Sequence, residues 1–273
     1  MIWFEGEIRA GSEIPLDAGD RGLLLGDGVF ETVAVFRRRP FALDAHLALL
    51  AAAGEALGFT VPLATVREAI DALVGAMTED NGALRVTVSR GTGPRGLLPP
   101  PQPSPVVLAT LAPWSPAIAF QPVTLATVSL RRNETSPLSR LKTLAYLDPV
   151  LALAEARRAG ADDALLLNTQ GRVAGSSMAN LFALIDGTWV TPPVADGVRP
   201  GVMRGLLLGG DTLGGDALGG GAIERSLDPA EIRGVPLALT NSLRLALPVV
   251  ALDGQPCPPV PEAFMGRLRA LVT

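Results

Sequence analysis

A chain of 273 residues, 48% hydrophobic with 30 glycines and 24 prolines, is long enough for two folded domains rich in turns, each burying a core. The formal net charge of −4 excludes a basic nucleic-acid surface, and runs such as Arg37-Arg38-Arg39 read as solvated turns. The positive mean hydropathy, +0.34, does not signal a membrane protein, because apolar runs are cut by Asp148, Glu155 or Pro-Gly well before the roughly twenty residues that a span needs.

Residues 2–9 and 29–36 read as strands, the second, VFETVAVF, running into a hairpin at RRRP. Helical apolar spacing predicts helices over 44–57 and 63–77. ALRVTVSRG (83–91) and VVLATLAPW (106–114) alternate as strands do, with a Gly/Pro loop between them. These elements predict a small α+β domain over 1–113, with APWSPAIAF as the linker, and a larger α+β domain over 114–273. The second domain opens with a strand in VTLATVSLRRNETSPL, followed by a turn and a helix from about 143 to 159. A strand, turn and strand pattern follows in DALLLNTQGRVAGSSMANLFALIDGTWVTPP, then a helix near 201–208. GGDTLGGDALGGGA is too rich in glycine for a helix and reads as a surface loop.

The composition also removes chemistries. The single cysteine, Cys257, allows no internal disulfide, and one histidine with one cysteine cannot build a His/Cys metal cluster, so no metal is expected. His46 sits in an apolar-periodic helix opened by Asp44 and reads as a packed or half-exposed helix residue; no G-x-S-x-G elbow accompanies it. Glu5, Glu7 and Glu13 make the N-terminus unlike a signal peptide, and a cytoplasmic protein is expected.

What stands out is the cation count. Of 23 basic residues, 22 are arginines and one is a lysine, Lys142, within TSPLSRLKTLAYLD (135–148). At a surface ion pair either residue serves, but only an amine can attack a carbonyl and form an imine. Lys142 is therefore the catalytic residue to expect, with pyridoxal phosphate as its commonest partner. Desolvation by Leu138, Leu141, Leu144 and Tyr146 would lower its pKa, as such a nucleophile requires.

Four blocks, DRGLLLGDGVFET (20–32), SPLSRLKTLAYLD, GADDALLLNTQGRVAGSSMANLF (160–182) and GVRPGVMRG (197–205), resemble the class IV aminotransferases. That family of pyridoxal-phosphate (PLP) enzymes of fold type IV includes branched-chain and D-amino-acid aminotransferases and aminodeoxychorismate lyase. The resemblance runs in order over about residues 1–250, and LRVTVSRGTGPRGL (84–97) with TNSLRLALPV (240–249) looks most like the lyases. It implies a two-domain α+β fold of the D-amino-acid-aminotransferase-like kind, with the cofactor in the cleft between a small and a larger domain, and a homodimer. Lys142 falls on the family's Schiff-base lysine. Val202 and Met203, within GVM, and Asn241 with Ser242 fall on segments whose amides and hydroxyl hold the phosphate. Phe30 and Arg95 are the substrate-contact residues to expect, Arg95 for a carboxylate.

The departures from the pattern are specific. The family has a glutamate directly after GRVA, which keeps the pyridine nitrogen protonated, where this chain has Gly175. It has an arginine three residues after the helix histidine, which binds the phosphate, where this chain has Leu49. Ala145 also stands where the family often has asparagine. Losing a charge-assisted contact to a dianion costs roughly 1.5–3 kcal/mol, or about one to two decades of affinity. The cofactor expected is thus PLP, weakly held or dispensed with. The first reading is a lyase that eliminates pyruvate from 4-amino-4-deoxychorismate to give 4-aminobenzoate for folate biosynthesis. The alternatives are a branched-chain or D-amino-acid aminotransferase, a PLP-independent enzyme using Lys142, and a non-catalytic dimeric paralogue. The first three act on a small-molecule substrate; none engages nucleic acid or a membrane.

Overall fold

Alternation of apolar and polar residues in the first hundred positions builds one twisted sheet with helices on a single face. The computed structural model describes residues 1–209 and 221–270, so most of the glycine-rich loop expected at 209–222 lies outside the described residues. The chain forms two compact units, one of Met1–Ser115 with Leu141–Tyr146, the other of Pro116–Arg140 with Leu147–Thr273.

The first unit contains β1 (Ile2–Phe4), β2 (Glu7–Arg9), α1 (Arg21–Leu25), β3 (Gly28–Phe36), β4 (Arg39–Pro40), α2 (Leu43–Ala56), α3 (Leu63–Gly75), β5 (Gly82–Ser89) and β6 (Val106–Pro113). Its strands are ordered β2-β1-β6-β5-β3-β4. The single strand expected over 2–9 is a hairpin, because Glu5 and Gly6 both take positive φ, 51° and 84°, and reverse the chain. Val29, Val33 and Val35 of β3, with Leu84, Val86 and Val88 of β5, face the core against Leu47, Leu50, Val66, Ile70 and Leu73 of α2 and α3. Phe30, Thr32, Arg85 and Thr87, one residue out of step, belong to the opposite face.

The helix expected from 143 starts only at Leu147, as α4 (Leu147–Arg158). Residues 142–144 instead extend the first unit's sheet. Phe30 N–H donates to the Lys142 carbonyl at 2.8 Å, Leu144 N–H donates to the Gly28 carbonyl at 2.9 Å, and Val29 pairs with Thr143. A helix there would consume those same backbone groups. Three glycines of the 20–32 block admit this strip. A Cβ on Gly28 would lie 2.6 Å from the Val88 carbonyl and 2.7 Å from Leu144 Cδ1, and one on Gly22 would lie 3.0 Å from the same methyl. Gly26 caps α1 at φ 67° with the Ala145 backbone against it.

Around this rail a charge network closes. Asp27 Oδ2 accepts from Arg21 Nε and Arg90 Nε, both at 2.8 Å. Arg21 then donates to the carbonyls of Gly96, Leu97 and Leu98, and Arg90 to those of Leu57 and Gly58. Burial pushes the Asp27 carboxyl up, but bonds and charge from Arg90 and Arg21 outweigh it and hold its pKa below the ordinary value.

The second unit contains β7 (Val123–Arg132), α4, β8 (Asp163–Asn168), β9 (Val173–Ser176), β10 (Asn180–Ile185), β11 (Thr188–Thr191), α5 (Val202–Leu207), β12 (Ala222–Glu224), β13 (Leu237–Asn241), β14 (Leu245–Leu252), β15 (Gln255–Pro256) and α6 (Glu262–Arg269). Its sheet runs β12-β11-β10-β13-β14-β7-β8-β9, with β15 beside β14. Ala152 and Ala156 of α4 pack with Val128, Ala164 and Leu166 on one side, while Leu125, Leu165, Leu181, Leu239 and Leu247 fill the other. Among the described residues no helix is long and apolar enough to cross a membrane.

Two outcomes follow. Gly28→Ala should cost about 1–3 kcal/mol, since the Val88 carbonyl and Leu144 cannot both retreat, and a urea unfolding midpoint measures it. Asp27→Asn should lower the midpoint at pH 7. A depressed carboxylate pKa stabilises above the unfolded value and loses that contribution as pH falls through the folded one. The gap to wild type should therefore close in acid, below the ordinary value of 3.8.

Candidate active site

The backbone clamp decides where the only lysine can point. Because Lys142 pairs with Phe30, their side chains share the sheet face away from α2 and α3. Lys142 Nζ lies 4.2 Å from the Phe30 ring centroid and 5.3 Å from that of Tyr146, and the two rings meet edge to face at 5.1 Å. Arg85, from β5, lays its guanidinium 3.7 Å from the same Phe30 centroid and bonds Thr87 Oγ1 at 3.3 Å. Phe30 itself is buried, a floor beneath two cations. Desolvation lowers the Arg85 pKa, with Tyr146 opposing it, and no carboxylate pairs with Arg85 among the described residues. Two cations on one ring, each worth about 0.5–2 kcal/mol against it, repel each other and favour an anionic ligand.

Arg95 is not brought to this cluster by any contact described. It is exposed in the loop between β5 and β6 whose neighbouring carbonyls Arg21 gathers. His46 is fully packed, not half-exposed. Its Nδ1 lies 2.8 Å from Glu31 Oε2, both residues being buried on the helix side of β3, and its Nε2 has no partner.

In the second unit, the remaining predicted residues converge through Asn180. Asn180 pairs with Thr240 across β10 and β13, and its Nδ2 donates to the Arg199 carbonyl at 2.9 Å. Gly201, just before α5, lies so close to Asn180 Oδ1 that a Cβ would collide with it. Val202 and Met203 open α5 from that point, both buried. Asn241 ends β13, and its Oδ1 accepts from the amides of Leu243 and Arg244 at 3.1 and 2.8 Å, folding the turn that presents Ser242. The Thr240 hydroxyl beside it is buried without a partner. Arg204 is committed elsewhere, to the Pro192 carbonyl at 2.9 Å and to Glu224.

Gly175 lies near the end of β9 at φ 98°, where a Cβ would sit 3.2 Å from the Ala179 carbonyl. The charged group beside this position is a cation. Arg132 Nη2 lies 3.4 Å from the Ser176 carbonyl and Nη1 lies 3.5 Å from that of Gly197. Carboxylates also lie in this region, and the Oδ2 atoms of Asp163 and Asp196 are buried without a partner. Glu134 accepts from the Thr169 hydroxyl and amide and from Gln170, bonds that hold its pKa below the ordinary value, the hydroxyl leading. Asp163 Oδ1 accepts from the Ser177 hydroxyl and the Ala164 amide.

Sequence reasoning missed Arg85 and the Glu31–His46 pair. An arginine on the polar face of β5 was a signal for the first, but choosing it needs the β3–β5 register that sets it over Phe30.

Comparison with known proteins agrees with this fold. The model of the amino-transferase class IV family matches residues 28–252. The chain is similar to the aminodeoxychorismate lyase of Vibrio harveyi, 32% identical over 75% of this chain and 74% of that one. It is similar to the branched-chain-amino-acid aminotransferase of Pseudomonas aeruginosa, 28% identical over 76% and 71%. Among solved structures, the PLP-bound form of a hypothetical aminotransferase from Mycobacterium tuberculosis superposes with a TM-score of 0.86. It is 26% identical, with 100% of this chain and 99% of that one covered. With the matched segment spanning both units, the chain belongs to the class IV aminotransferase family, whose fold is the fold-type IV architecture that its sequence predicts.

Proposed function

We propose that the protein is a PLP-dependent enzyme acting on a small amino-acid-like substrate that carries a carboxylate, with pyruvate elimination of the aminodeoxychorismate lyase kind as the leading reading. The observation that carries it is the Lys142–Phe30–Arg85 arrangement, an amine and a guanidinium with no carboxylate partner among the described residues, over one aromatic floor. Similarity to both a lyase and a branched-chain aminotransferase supports the substrate class and leaves amino transfer as the alternative.

Each unit, taken by itself, carries residues suited to one end of the cofactor, and position 175 departs from the family pattern. Lys142 would offer the amine for its aldehyde carbon, its backbone being paired with that of Phe30. The orphaned Thr240 hydroxyl, the glycine-only approach at Gly201 and the Asn241-folded turn mark a polar cradle suited to a phosphate. There the amides of Val202 and Met203, with Asn241 and Ser242, would hold it. Leu49 adds no charge to that grip, and position 175 adds no carboxylate. When bound, PLP supplies an electron-withdrawing ring that eases removal of a proton beside the substrate nitrogen.

The chain's own groups do the rest. The Lys142 amine would be the base that takes and returns that proton, with the Phe30 and Tyr146 rings beside its charge. Arg85 orients the substrate through its carboxylate. We further propose a homodimer. Leu23 and Leu24 are 62% exposed and Leu97 and Leu98 are 83% and 82% exposed, apolar side chains that a partner subunit would cover.

Titrating PLP into the purified protein and following its absorbance should show weak, partial saturation, and Leu49→Arg should tighten binding about ten- to a hundredfold. Lys142→Ala and Lys142→Arg should both abolish the bound-cofactor band; a stoichiometric, tightly held cofactor in the wild type would overturn the reading of Leu49. Arg85→Gln should raise KM for a carboxylate substrate about tenfold or more with kcat less affected, since a charge-assisted contact is worth roughly 1.5–3 kcal/mol. An unchanged KM would remove Arg85 from substrate binding.

A further inference from the structure

We infer that residues 94–103 form a strap that opens and closes as one stiff piece, with the Arg21 guanidinium as its clasp. Strap and clasp both lie within the first unit. The two ends of the strap are pinned. Thr92 bridges Asp20, and Arg21 N–H donates to the Gly91 carbonyl at 2.9 Å. The Ser104 carbonyl packs so closely on Gly91, which takes φ 84°, that a Cβ there would collide with it. Between those ends the chain is stiff and poor in donors. Pro94, Pro99, Pro100, Pro101 and Pro103 are five of its ten residues, and proline fixes its own φ and has no N–H. Among the described residues no amide from 94 to 103 donates a hydrogen bond, and residues 92–99 are all exposed.

The fastening comes from one side chain. Arg21 Nη1 donates to the carbonyls of Gly96 and Leu98 at 3.1 and 3.2 Å, and Nη2 donates to that of Leu97 at 2.9 Å. Its Nε donates to Asp27 at 2.8 Å, which fixes the fork and balances its charge. Three successive carbonyls turned to Arg21 leave the side chains of Leu97 and Leu98 in water, so no burial of these leucines helps to close the strap. Gly96 makes the turn of carbonyls possible at φ 112°, with open space where a Cβ would be. A segment held by polar bonds to one group, with little apolar contact, opens without unfolding the sheet that carries it. Arg95 rides on this strap, so the clasp also sets where its guanidinium is presented.

Limited trypsin digestion of the full-length protein, with each cut located by mass, tests this. Cleavage after Arg95 reports opening of the strap, and cleavage after Arg85, in the middle of β5, reports unfolding of the sheet. The wild type should be cut slowly after Arg95 and far more slowly after Arg85. Arg21→Lys keeps the charge but not the fork; it should speed the cut after Arg95 about tenfold or more and leave that after Arg85 unchanged. Gly96→Ala, in the exposed strap, should also speed the first cut once rates are referred to those of the urea-unfolded chains. The double variant should be little faster than Arg21→Lys, since residue 96 is strained only while the clasp holds it. A wild-type strap cut as fast as that of Arg21→Lys would overturn the inference. So would rates that rise together after Arg85 and Arg95, because Arg21 would then hold the unit rather than the strap. Should Arg21→Lys not fold, Gly96→Ala decides alone, and an unchanged rate after Arg95 contradicts the clasp. Digestion over a range of protein concentrations separates the clasp from cover by a partner subunit: protection that grows with concentration and ignores both variants would also overturn it.

Discussion

Two backbone hydrogen bonds, Phe30 N–H to the Lys142 carbonyl and Leu144 N–H to the Gly28 carbonyl, fix the position on which every proposed chemical role depends. They take a segment that lies 112 residues from its partner in sequence, from position 142 back to position 30, and make it part of the first unit's sheet. Pairing sets which face the lysine occupies, because opposed residues in an antiparallel pair share a face. The glycines at 22, 26 and 28 are the other half of the same constraint, being the places where Leu144 and Ala145 come too close for any side chain. The Arg21–Asp27–Arg90 network then ties the glycine-bearing turn to both flanking loops.

Charge is arranged distinctly within each unit. In the first unit Arg85 and Lys142 both lie over Phe30; in the second, Arg132 reaches the Ser176 carbonyl while Glu134 accepts from Thr169 and Asp163 Oδ1 from the Ser177 hydroxyl. The buried Glu31–His46 pair keeps the chain's only imidazole inside the helix–sheet interface, where it braces α2 against β3.

Much of this was legible before any coordinates. The lone lysine among arginines marked its own position by chemistry, and residues 29–36, 83–91 and 106–114 announced their strands by alternation. The start of α4 was not legible, because Leu144, Tyr146 and Leu147 continue a helical apolar pattern while the backbone bonds that override it come from residues 28–30. Arg85 was less legible for a similar reason: it lies in the middle of β5, and only the register of β3 on β5 shows that it crosses Phe30. The missing carboxylate at Gly175 could be read directly, whereas Arg132 comes beside it only through the parallel pairing of β7 with β8 and the return of β9. Local composition names groups; long-range pairing names their neighbours.

The most direct test of the lysine's role is reductive trapping. Incubating the protein with PLP, reducing with borohydride and measuring the intact mass and the digest should place a single phosphopyridoxyl group on the peptide containing Lys142, with none on a Lys142→Arg protein. Because Lys142 is the chain's only lysine, the assignment has one competitor, the terminal amine of Met1. A label confined to Met1, or cofactor bound with no label on Lys142, would contradict the account.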